Sequence, residues 1–289
     1  MSNVQRVVIT HSKFTDNGYR PFHGHASILD SEFSFNYCSD NGKGFTGEVE
    51  GPYDGIFFFD GARNLIITGN RIITSNTVGC IVVGGVISGS SGSSEITISN
   101  NVCQSKTPTE ANGIVLIGIT LMSVTITGNT IYNCRHSILA SNDYASIGEG
   151  ITICGNVIEE NVVGIYILAT LSKSSVSGNI IRKCSEGGIT ATGLSDSNIS
   201  NNAFIDNGPS TPGKDAINLT TCVRNIISSN NFVNTAAGTR QQYGVRETTG
   251  CDSNLIIANQ FRQMVLGAHL LIGVNSVAKD NMIEGVYTA

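Results

Sequence analysis

The sequence predicts an all-β protein in which one domain, residues 1–289, winds as a parallel β-helix. A phrase of the form apolar-x-x-Asn-x-apolar recurs along most of the chain, as in "IITGNRII", "ITISNNVC" and "ITICGNVI". The copies lie about 20 to 30 residues apart, which is typical of solenoids. Only 13% of the residues are charged, whereas Gly, Ser, Thr and Asn are abundant. This composition suits stacked strands joined by tight turns and is poor material for surface helices.

The Asn of the recurring phrase marks one corner of each predicted coil. The copies are anchored at Asn70, Asn101, Asn129, Asn156, Asn179, Asn202, Asn230, Asn259 and Asn281. Ser12 and Ser31 fill the place in two earlier, degenerate copies, so the pattern predicts about eleven coils. The residue two positions after the anchor is nearly always apolar, with Phe33 in the second coil, and predicts a core row. We expect the Asn side chains to hydrogen-bond from layer to layer.

A second strand follows in each copy, for example "GIVLIG" and "GIYILAT". This pattern resembles the right-handed parallel β-helix proteins of the pectin-lyase-like superfamily, and the resemblance covers almost the whole chain. It implies a single-stranded, right-handed solenoid. Members include polysaccharide lyases, glycoside hydrolases, uronan epimerases and bacteriophage tailspikes. The Asp-Pro-His triplet of the alginate epimerases and the Asn-Thr-Asp and Asp-Asp pairs of the polygalacturonases are missing, and "HGHA" is not the polygalacturonase Gly-His-Gly.

Strand alternation divides each second strand into inward and outward residues. In coils 2 to 6 the predicted inward residues are Ile56, Phe58, Cys80, Val82, Ile114, Leu116, Ile138, Ala140, Ile165 and Ile167. The predicted outward residues are Phe57, Phe59, Ile81, Val83, Val115, Ile117, Leu139, Ser141, Tyr166 and Leu168. This outward stripe is larger than soluble monomers normally expose. Either a loop of the chain covers it, or parallel rods pack about a threefold axis, as in tailspikes. We predict a homotrimer through Phe57, Phe59, Val83, Ile117 and Leu168.

In coils 7 to 10 the same face is predicted to become polar. Its residues are Thr190, Thr192, Asn218, Thr220, Arg246, Thr248 and His269. A sugar chain could lie along such a ladder of hydroxyl, amide and cationic groups, although a solvated face explains it equally well. Asn218, Arg246 and His269 are therefore candidate substrate-binding residues.

Charge and hydropathy exclude several classes of partner. The net charge is −5, and no run of Lys or Arg occurs, so a nucleic-acid surface is not expected. No apolar segment is long enough for membrane insertion, and "MSNVQRVVIT" is not a signal peptide. We expect a chain made in the cytoplasm that acts on a virion or outside the cell. Both ends of the solenoid look uncapped, which predicts a fragment of a longer protein or capping by partner chains.

The eight cysteines occur about once per coil instead of in close pairs. Cys134 and Cys184 share one corner two layers apart, with Asn161 between them. Their Cα atoms should be about 9.5 Å apart, beyond the reach of a disulfide. We expect free thiols throughout. The histidines are scattered and no Cys-x-x-Cys occurs, so neither a metal nor another cofactor is expected.

The first candidate site is the long insertion "CSDNGKGFTGEVEGPYDG" of the second coil. It carries Glu48, Glu50 and Asp54, and Asp60 follows at the end of the strand. Aligning the first two coils puts His23 beside Asp60, with Arg20 and Tyr53 as candidate substrate-binding residues. In a catalytic protein Glu48 or Glu50 would be the acid, Asp60 or Asp54 the base or nucleophile, and His23 an orienting partner or proton shuttle. Solvated loop acids are the alternative explanation.

Arg246, Glu247 and His269 form a second candidate group, although Glu247 falls on a nominally inward position. The predicted function is that of a tailspike-like depolymerase that binds and degrades a bacterial surface polysaccharide, an expectation that comes chiefly from the resemblance. A non-catalytic structural or adhesive rod is one alternative. A uronan lyase or epimerase of the same superfamily is another.

Overall fold

The computed structural model describes residues 4–17, 21–24, 28–41, 55–74, 79–85, 92–107, 110–118, 120–141, 147–208, 214–235 and 241–286. Within these ranges the regular secondary structure is entirely β, which confirms the all-β prediction. Within the same ranges, no helix is long and apolar enough to span a membrane.

The strands are short, most of them three to seven residues long, and follow one another at tight corners. The first twelve are β1 Val4–Gln5, β2 Val8–Thr10, β3 Lys13–Thr15, β4 Phe22–Gly24, β5 Ile28–Ser34, β6 Tyr37–Asn41, β7 Gly55–Asp60, β8 Arg63–Thr68, β9 Arg71–Thr74, β10 Gly79–Gly85, β11 Ser93–Ser99 and β12 Val102–Ser105. The next twelve are β13 Ile114–Gly118, β14 Thr120–Thr127, β15 Thr130–Tyr132, β16 His136–Ala140, β17 Ile147–Glu149, β18 Thr152–Cys154, β19 Val157–Glu159, β20 Val163–Ile167, β21 Thr170–Ser172, β22 Ser175–Ser177, β23 Ile180–Arg182 and β24 Ile189–Thr192. The last twelve are β25 Leu194–Ser195, β26 Asn198–Ser200, β27 Ala203–Ile205, β28 Ile217–Thr220, β29 Ile226–Ser228, β30 Asn231–Val233, β31 Tyr243–Glu247, β32 Leu255–Ile257, β33 Gln260–Met264, β34 Gly267–Leu270, β35 Val277–Lys279 and β36 Met282–Val286.

Three parallel sheets run the length of the molecule. Sheet 1 has the order β1-β5-β8-β11-β14-β18-β22-β26-β29-β32-β35, with β2, β17, β21 and β25 beside this path. Sheet 2 has the order β3-β6-β9-β12-β15-β19-β23-β27-β30-β33-β36. Sheet 3 has the order β4-β7-β10-β13-β16-β20-β24-β28-β31-β34. Because each strand pairs in parallel with its equivalent one coil further on, the chain winds as the predicted β-helix.

The corner between sheets 1 and 2 is held by the predicted asparagine ladder. Asn156 is typical: its backbone N–H and its Nδ2 both donate to Oδ1 of Asn179 in the next coil, at 3.0 and 2.9 Å. Its Nδ2 also donates to the carbonyl oxygen of Ile126 in the coil before. The same bonds recur from Asn70 to Asn259, which confirms hydrogen bonding between layers.

The second coil departs from the predicted anchors. Asn36, and not Ser31, occupies the ladder there, because its backbone N–H donates to Asn70 Oδ1 at 2.9 Å. Ser31 lies inside the long strand β5, where its Oγ accepts from the N–H of Val7. The core row of sheet 2 therefore contains Cys38 in this coil, and Phe33 belongs to sheet 1.

The interior of the coils is filled by stacked apolar side chains. Phe204, Phe232 and Phe261 form a continuous stack with ring centroids 4.8 and 4.7 Å apart. All eight cysteines are free, as predicted. Asn161 separates two of them, since its Oδ1 accepts from the N–H of Cys134 and Cys184 follows in the coil after.

In sheet 3 the predicted faces are reversed for the second and third coils. Ile81 pairs with both Phe57 and Ile114, so Phe57, Phe59, Ile81 and Val83 point into the core. Gly113 lies opposite the corner residue Cys80, which offsets the third coil by one residue against the fourth. A slip of one residue exchanges the two faces of a strand. From the fourth to the ninth coil the predicted faces are correct.

The outward apolar residues form a cluster of their own. Its members are Phe58, Val82, Val115, Ile117 and Leu139, with Tyr166 and Leu168 packed partly buried against them. The five main members are buried within the single chain. A trimer contact through Phe57, Phe59 and Val83 is therefore wrong, because these three side chains lie in the core.

Candidate functional site

Most of the candidate site predicted at the insertion of the second coil lies outside the described residues. The residues concerned are Glu48, Glu50, Asp54, Arg20 and Tyr53. For His23 and Asp60 only the strand pairing is described. His23 in β4 pairs with Phe58 in β7, two residues before Asp60. The predicted alignment of His23 directly beside Asp60 is therefore wrong by two residues, and the rest of this site stays a prediction.

The second predicted group does not come together. Arg246 faces outward, on the same row as Asn218 and Thr190. Glu247 points inward and is buried, and both its oxygens accept hydrogen bonds, among them bonds from Asn254 Nδ2 and Gly273 N–H. His269 pairs with Val245 on the inward row, and its ring centroid lies 6.4 Å from that of Phe261. Placing His269 on the outward polar face was wrong, and burial lowers the pKa of its imidazole.

The outward face of sheet 3 nevertheless carries a groove where the predicted polar ladder begins. The groove encloses about 550 Å³ and is open to solvent. It is lined by Arg135, His136, Val162, Val163, Tyr166, Ser185, Glu186, Thr190, Lys214, Asp215 and Asn218. Of the predicted substrate-binding residues, Asn218 lines it directly, and Arg246 lies beside it through an ion pair with Asp215.

Residues at equivalent positions of successive coils build the two walls of the groove. Tyr166, Thr190, Asn218 and Arg246 follow one another on the outward row, one coil apart. The polar residues of the other wall lie at or just before the start of each sheet 3 strand, where a small residue leads into the core. Gly164 illustrates why that residue must be small, because a Cβ atom there would lie 2.4 Å from the carbonyl oxygen of Gly188.

Asp215 is the most unusual group in the groove. It is only 2% exposed, and its Oδ1 accepts from the N–H of Tyr243 at 3.1 Å. Its Oδ2 has no hydrogen-bond partner and lies 3.6 Å from Nη1 of Arg246. Burial raises the pKa of the carboxyl to about 6, against the opposing effects of the Tyr243 N–H and of Arg246. Such a carboxyl exchanges its proton close to neutral pH.

His136 lies at the opposite end of the groove, three coils from Asp215 in the strand register. At about 4.8 Å per coil the two groups are about 14 Å apart, too far to act on the same bond. The His136 ring lies 4.8 Å from that of Tyr166, and its Nδ1 lies 2.9 Å from Asn112 Oδ1. Burial, with a smaller effect of Arg135, lowers the pKa of the imidazole to about 4. His136 is therefore neutral at pH 7.

Sequence reasoning missed Asp215, His136, Glu186 and Lys214. Aligning the residues just before each sheet 3 strand would have found them. "RHSI", "EGGI" and "KDAI" then fall in one column, because Ile138, Ile189 and Ile217 occupy the same inward row. Glu186 and Lys214 are neighbours in this column and form an ion pair of 3.4 Å.

Comparison with known families agrees with this architecture. The family described as "Right handed beta helix region" matches residues 1–145, and the one described as "Periplasmic copper-binding protein (NosD)" matches residues 117–266. The chain belongs to the right-handed β-helix family and to the NosD family. No curated protein sequence matches this β-helix.

Solved structures resemble the β-helix over most of its length. A hyperthermoactive exopolygalacturonase from Thermotoga maritima has a TM-score of 0.58 at 13% identity, covering 98% of this chain and 81% of that one. A mutant of the periplasmic alginate epimerase AlgG has a TM-score of 0.55 at 12% identity, covering 97% and 69%. The DFA-IIIase of Arthrobacter chlorophenolicus A6 has a TM-score of 0.55 at 12% identity, covering 89% and 66%. At these identities the likeness establishes the fold alone.

The description of the NosD family raises the question of copper. Soft thiolates and imidazoles are the usual copper ligands. Among the residues whose placement is described, no three His, Cys, Asp or Glu side chains lie together as a metal site. Burial also raises the pKa of Cys38 and of Cys184 to about 12, which keeps both thiols protonated. The described residues of this β-helix therefore do not fit a copper centre.

Proposed function

We propose that the chain binds a polysaccharide along the outward face of sheet 3 and cleaves it in the groove, with Asp215 as the proton donor. One observation carries the proposal. A buried carboxyl with a pKa of about 6, whose Oδ2 accepts no hydrogen bond and lies 3.6 Å from Arg246 Nη1, lines an open groove whose other walls are polar and aromatic. A buried unsatisfied oxygen at such a place calls for a ligand group that supplies the missing hydrogen bond.

The row of outward side chains fits a sugar polymer. Tyr166, Thr190, Asn218 and Arg246 offer an aromatic ring, a hydroxyl, an amide and a guanidinium, in that order. Successive members are about 4.8 Å apart, close to the length of one sugar residue in an extended chain. Aromatic rings pack against the apolar faces of sugars, and the polar groups pair with their hydroxyls. The exopolygalacturonase and the alginate epimerase named above act on acidic polysaccharides, which makes these polymers the first substrates to test.

The cleavage step uses residues of three successive coils. Asp215 gives its proton to the glycosidic oxygen as the C–O bond to the sugar breaks. Arg246, 3.6 Å from Oδ2, stabilises the carboxylate that remains. Glu186, one coil before Asp215, accepts a proton from the water that attacks the sugar carbon. This water supplies the hydroxyl of the new reducing end.

The test is incubation of the purified chain with polygalacturonate, alginate and a panel of capsular and O-antigen polysaccharides. Release of reducing ends measures hydrolysis. We expect Asp215→Asn to lower the rate at least about 100-fold, the usual size of a lost general acid, while binding to the polymer is kept. Asp196→Asn is the matched control, because Asp196 is exposed, pairs with Arg224 and does not line the groove.

Other outcomes decide between the alternatives. Products that absorb ultraviolet light would indicate a lyase, which removes a proton instead of adding water. Binding without any product would support a non-catalytic adhesive rod. Equal rates for the parent and Asp215→Asn would contradict the role of Asp215 and return attention to Glu48, Glu50, Asp54 and Asp60.

The wider biological setting is also part of the proposal. A tailspike-like depolymerase would act from a virion or outside the cell on a bacterial surface polysaccharide, and would be a homotrimer. Support for this setting comes from the β-helix architecture together with the polar groove. Degradation of intact capsule by the purified chain would support it, and activity restricted to small soluble oligosaccharides would contradict it.

A further inference from the structure

One pair of cysteines differs from the others in its surroundings. Val223 and Asp252 form a parallel bridge between neighbouring coils, so Cys222 and Cys251, directly before them, lie side by side. The N–H of Asp252 donates to the carbonyl oxygen of Cys222 at 3.2 Å. Paired strands are about 4.8 Å apart, within the range of Cα separations that a disulfide can bridge.

The two thiols also meet each other. Both point into the coil interior, where Cys222 Sγ lies 3.4 Å from the carbonyl oxygen of Ala191 and Cys251 Sγ lies 3.4 Å from that of Leu219. Ala191 and Leu219 are equivalent residues of consecutive coils, so the two side chains run in the same direction. Side chains that leave neighbouring paired strands in the same direction place their thiol groups next to each other.

We infer that Cys222 and Cys251 are a redox-active dithiol, which small disulfides such as oxidised glutathione convert to a disulfide between two coils. This inference does not depend on the proposed polysaccharide chemistry. The link would tie β28 to β31, the strands that carry Asn218 and Arg246.

The two cysteines have different parts in the reaction. Cys251 is 7% exposed and follows the exposed turn residues Thr249 and Gly250, whereas Cys222 is fully buried. The neighbouring Cys222 thiol lowers the pKa of Cys251 to about 7, and the same contact, with burial, raises the pKa of Cys222. Cys251 is thus the thiolate that an external disulfide meets first, because the thiolate is the attacking form.

The exchange balances without any further reactant. The Cys251 thiolate attacks one sulfur of the small disulfide, forms a mixed disulfide and releases one small thiolate. Cys222 then loses its proton to solvent and attacks the Cys251 sulfur, which releases the second small thiolate. Two protein thiols are oxidised, and one small disulfide is reduced to two thiols.

Another thiol contact in the molecule provides an internal control. Cys80 interacts electrostatically with Cys103 and with Cys134, and all three are fully buried. The interaction with Cys103, together with burial, raises the pKa of Cys80 well above its usual value, and the interaction with Cys80, together with burial, does the same for Cys134. These thiols should not react in the folded chain.

The experiment treats the folded 289-residue chain with oxidised glutathione at pH 7, then alkylates the remaining thiols under denaturing conditions and maps the peptides by mass spectrometry. We expect a linked Cys222–Cys251 peptide, and modification of Cys251 at least about tenfold faster than that of Cys80. Cys222→Ala should stop at a stable glutathione adduct on Cys251. Cys251→Ala should leave Cys222 unmodified.

The parent chain alone decides the matter if a variant does not fold. Complete alkylation of both Cys222 and Cys251 after prolonged treatment, in a chain that keeps its circular dichroism spectrum, would overturn the inference. A linked peptide that joins Cys80 to Cys134 before Cys222 to Cys251 would overturn it as well.

Discussion

At the scale of single residues, the groove places two ionisable groups where burial acts on them in opposite directions. Asp215 loses hydration as an anion, and His136 loses it as a cation, so both favour the neutral form in the folded chain. Each shift is also a statement about stability, because the unfolded chain titrates at the ordinary pKa. The two groups therefore predict opposite responses of stability to pH.

Asp215 should make the folded state less stable as the pH rises. Its pKa is about 6 in the folded chain and 3.8 in the unfolded chain. The free energy of unfolding therefore falls as the pH rises from 3.8 through 6, and the full penalty remains above this range. The shift corresponds to about 3 kcal/mol at pH 8. Asp215→Asn should therefore stabilise the chain at pH 8 by up to that amount relative to its effect at pH 4, as measured by denaturant unfolding. The same gain in Asp196→Asn would contradict this cause.

His136 should have the opposite effect. Its pKa of about 4 lies below the ordinary 6.5, so its contribution is present above pH 6.5 and is lost as the pH falls toward 4. In His136→Gln the free energy of unfolding should fall less between pH 7 and pH 4 than in the parent chain, by up to about 3 kcal/mol. An unchanged difference in unfolding free energy between pH 7 and pH 4 would show that the imidazole is hydrated in the folded chain.

At the scale of structural elements, the asparagine corner is the part with the sharpest energetic prediction. Asn156→Ala removes bonds to Asn129, Asn179 and the Ile126 carbonyl oxygen, all of them buried. Because their partners then lack hydrogen bonds, we expect a loss of about 3 kcal/mol in unfolding free energy. Asn198→Ala is the control, since its side chain is exposed on sheet 1, and should change stability by less than about 0.5 kcal/mol.

The corner was also the part of the fold that the sequence predicts best. The side chain at this corner must donate both to the next Asn and to a carbonyl oxygen of the coil before, which the equally shaped Asp carboxylate cannot do, so Asn recurs visibly from Asn36 to Asn281. The faces of sheet 3 were harder, because corner loops of different lengths shift one coil against the next. Gly113 opposite Cys80 is such a shift, and it reversed the faces of β7 and β10.

The candidate site was predicted only in part for the same reason. Asn218 and Arg246 could be assigned from strand alternation within their coils. Asp215 lies before β28 and His136 is the first residue of β16, where alternation gives little direction, and the pKa shifts of both groups depend on burial by other coils. A pattern within one coil does not contain that information.

At the scale of the whole molecule, the homotrimer stays a prediction, and fewer of the residues named for its contact face outward than the sequence predicts. Of the residues named for it, Ile117 and Leu168 face outward, and Ile117 is already buried in the single chain. Light scattering on the purified chain tests the assembly. A trimer that Leu168→Asp dissociates, while the fold is kept, would support a contact at this face. A monomer at micromolar concentration would contradict the trimer.

The layered hydrogen bonds also determine how the molecule should respond to force. Successive coils are joined by the same few bonds at each corner, as at Asn179, Asn202 and Asn230. A pull on the two ends would load one coil at a time, because no described bond of this ladder joins coils further apart. Steps of 23 and 28 residues between these anchors would each release a length of about 70 to 90 Å. The rod would then unfold one coil after another, and each unfolding step would absorb mechanical work while the remaining coils stay folded.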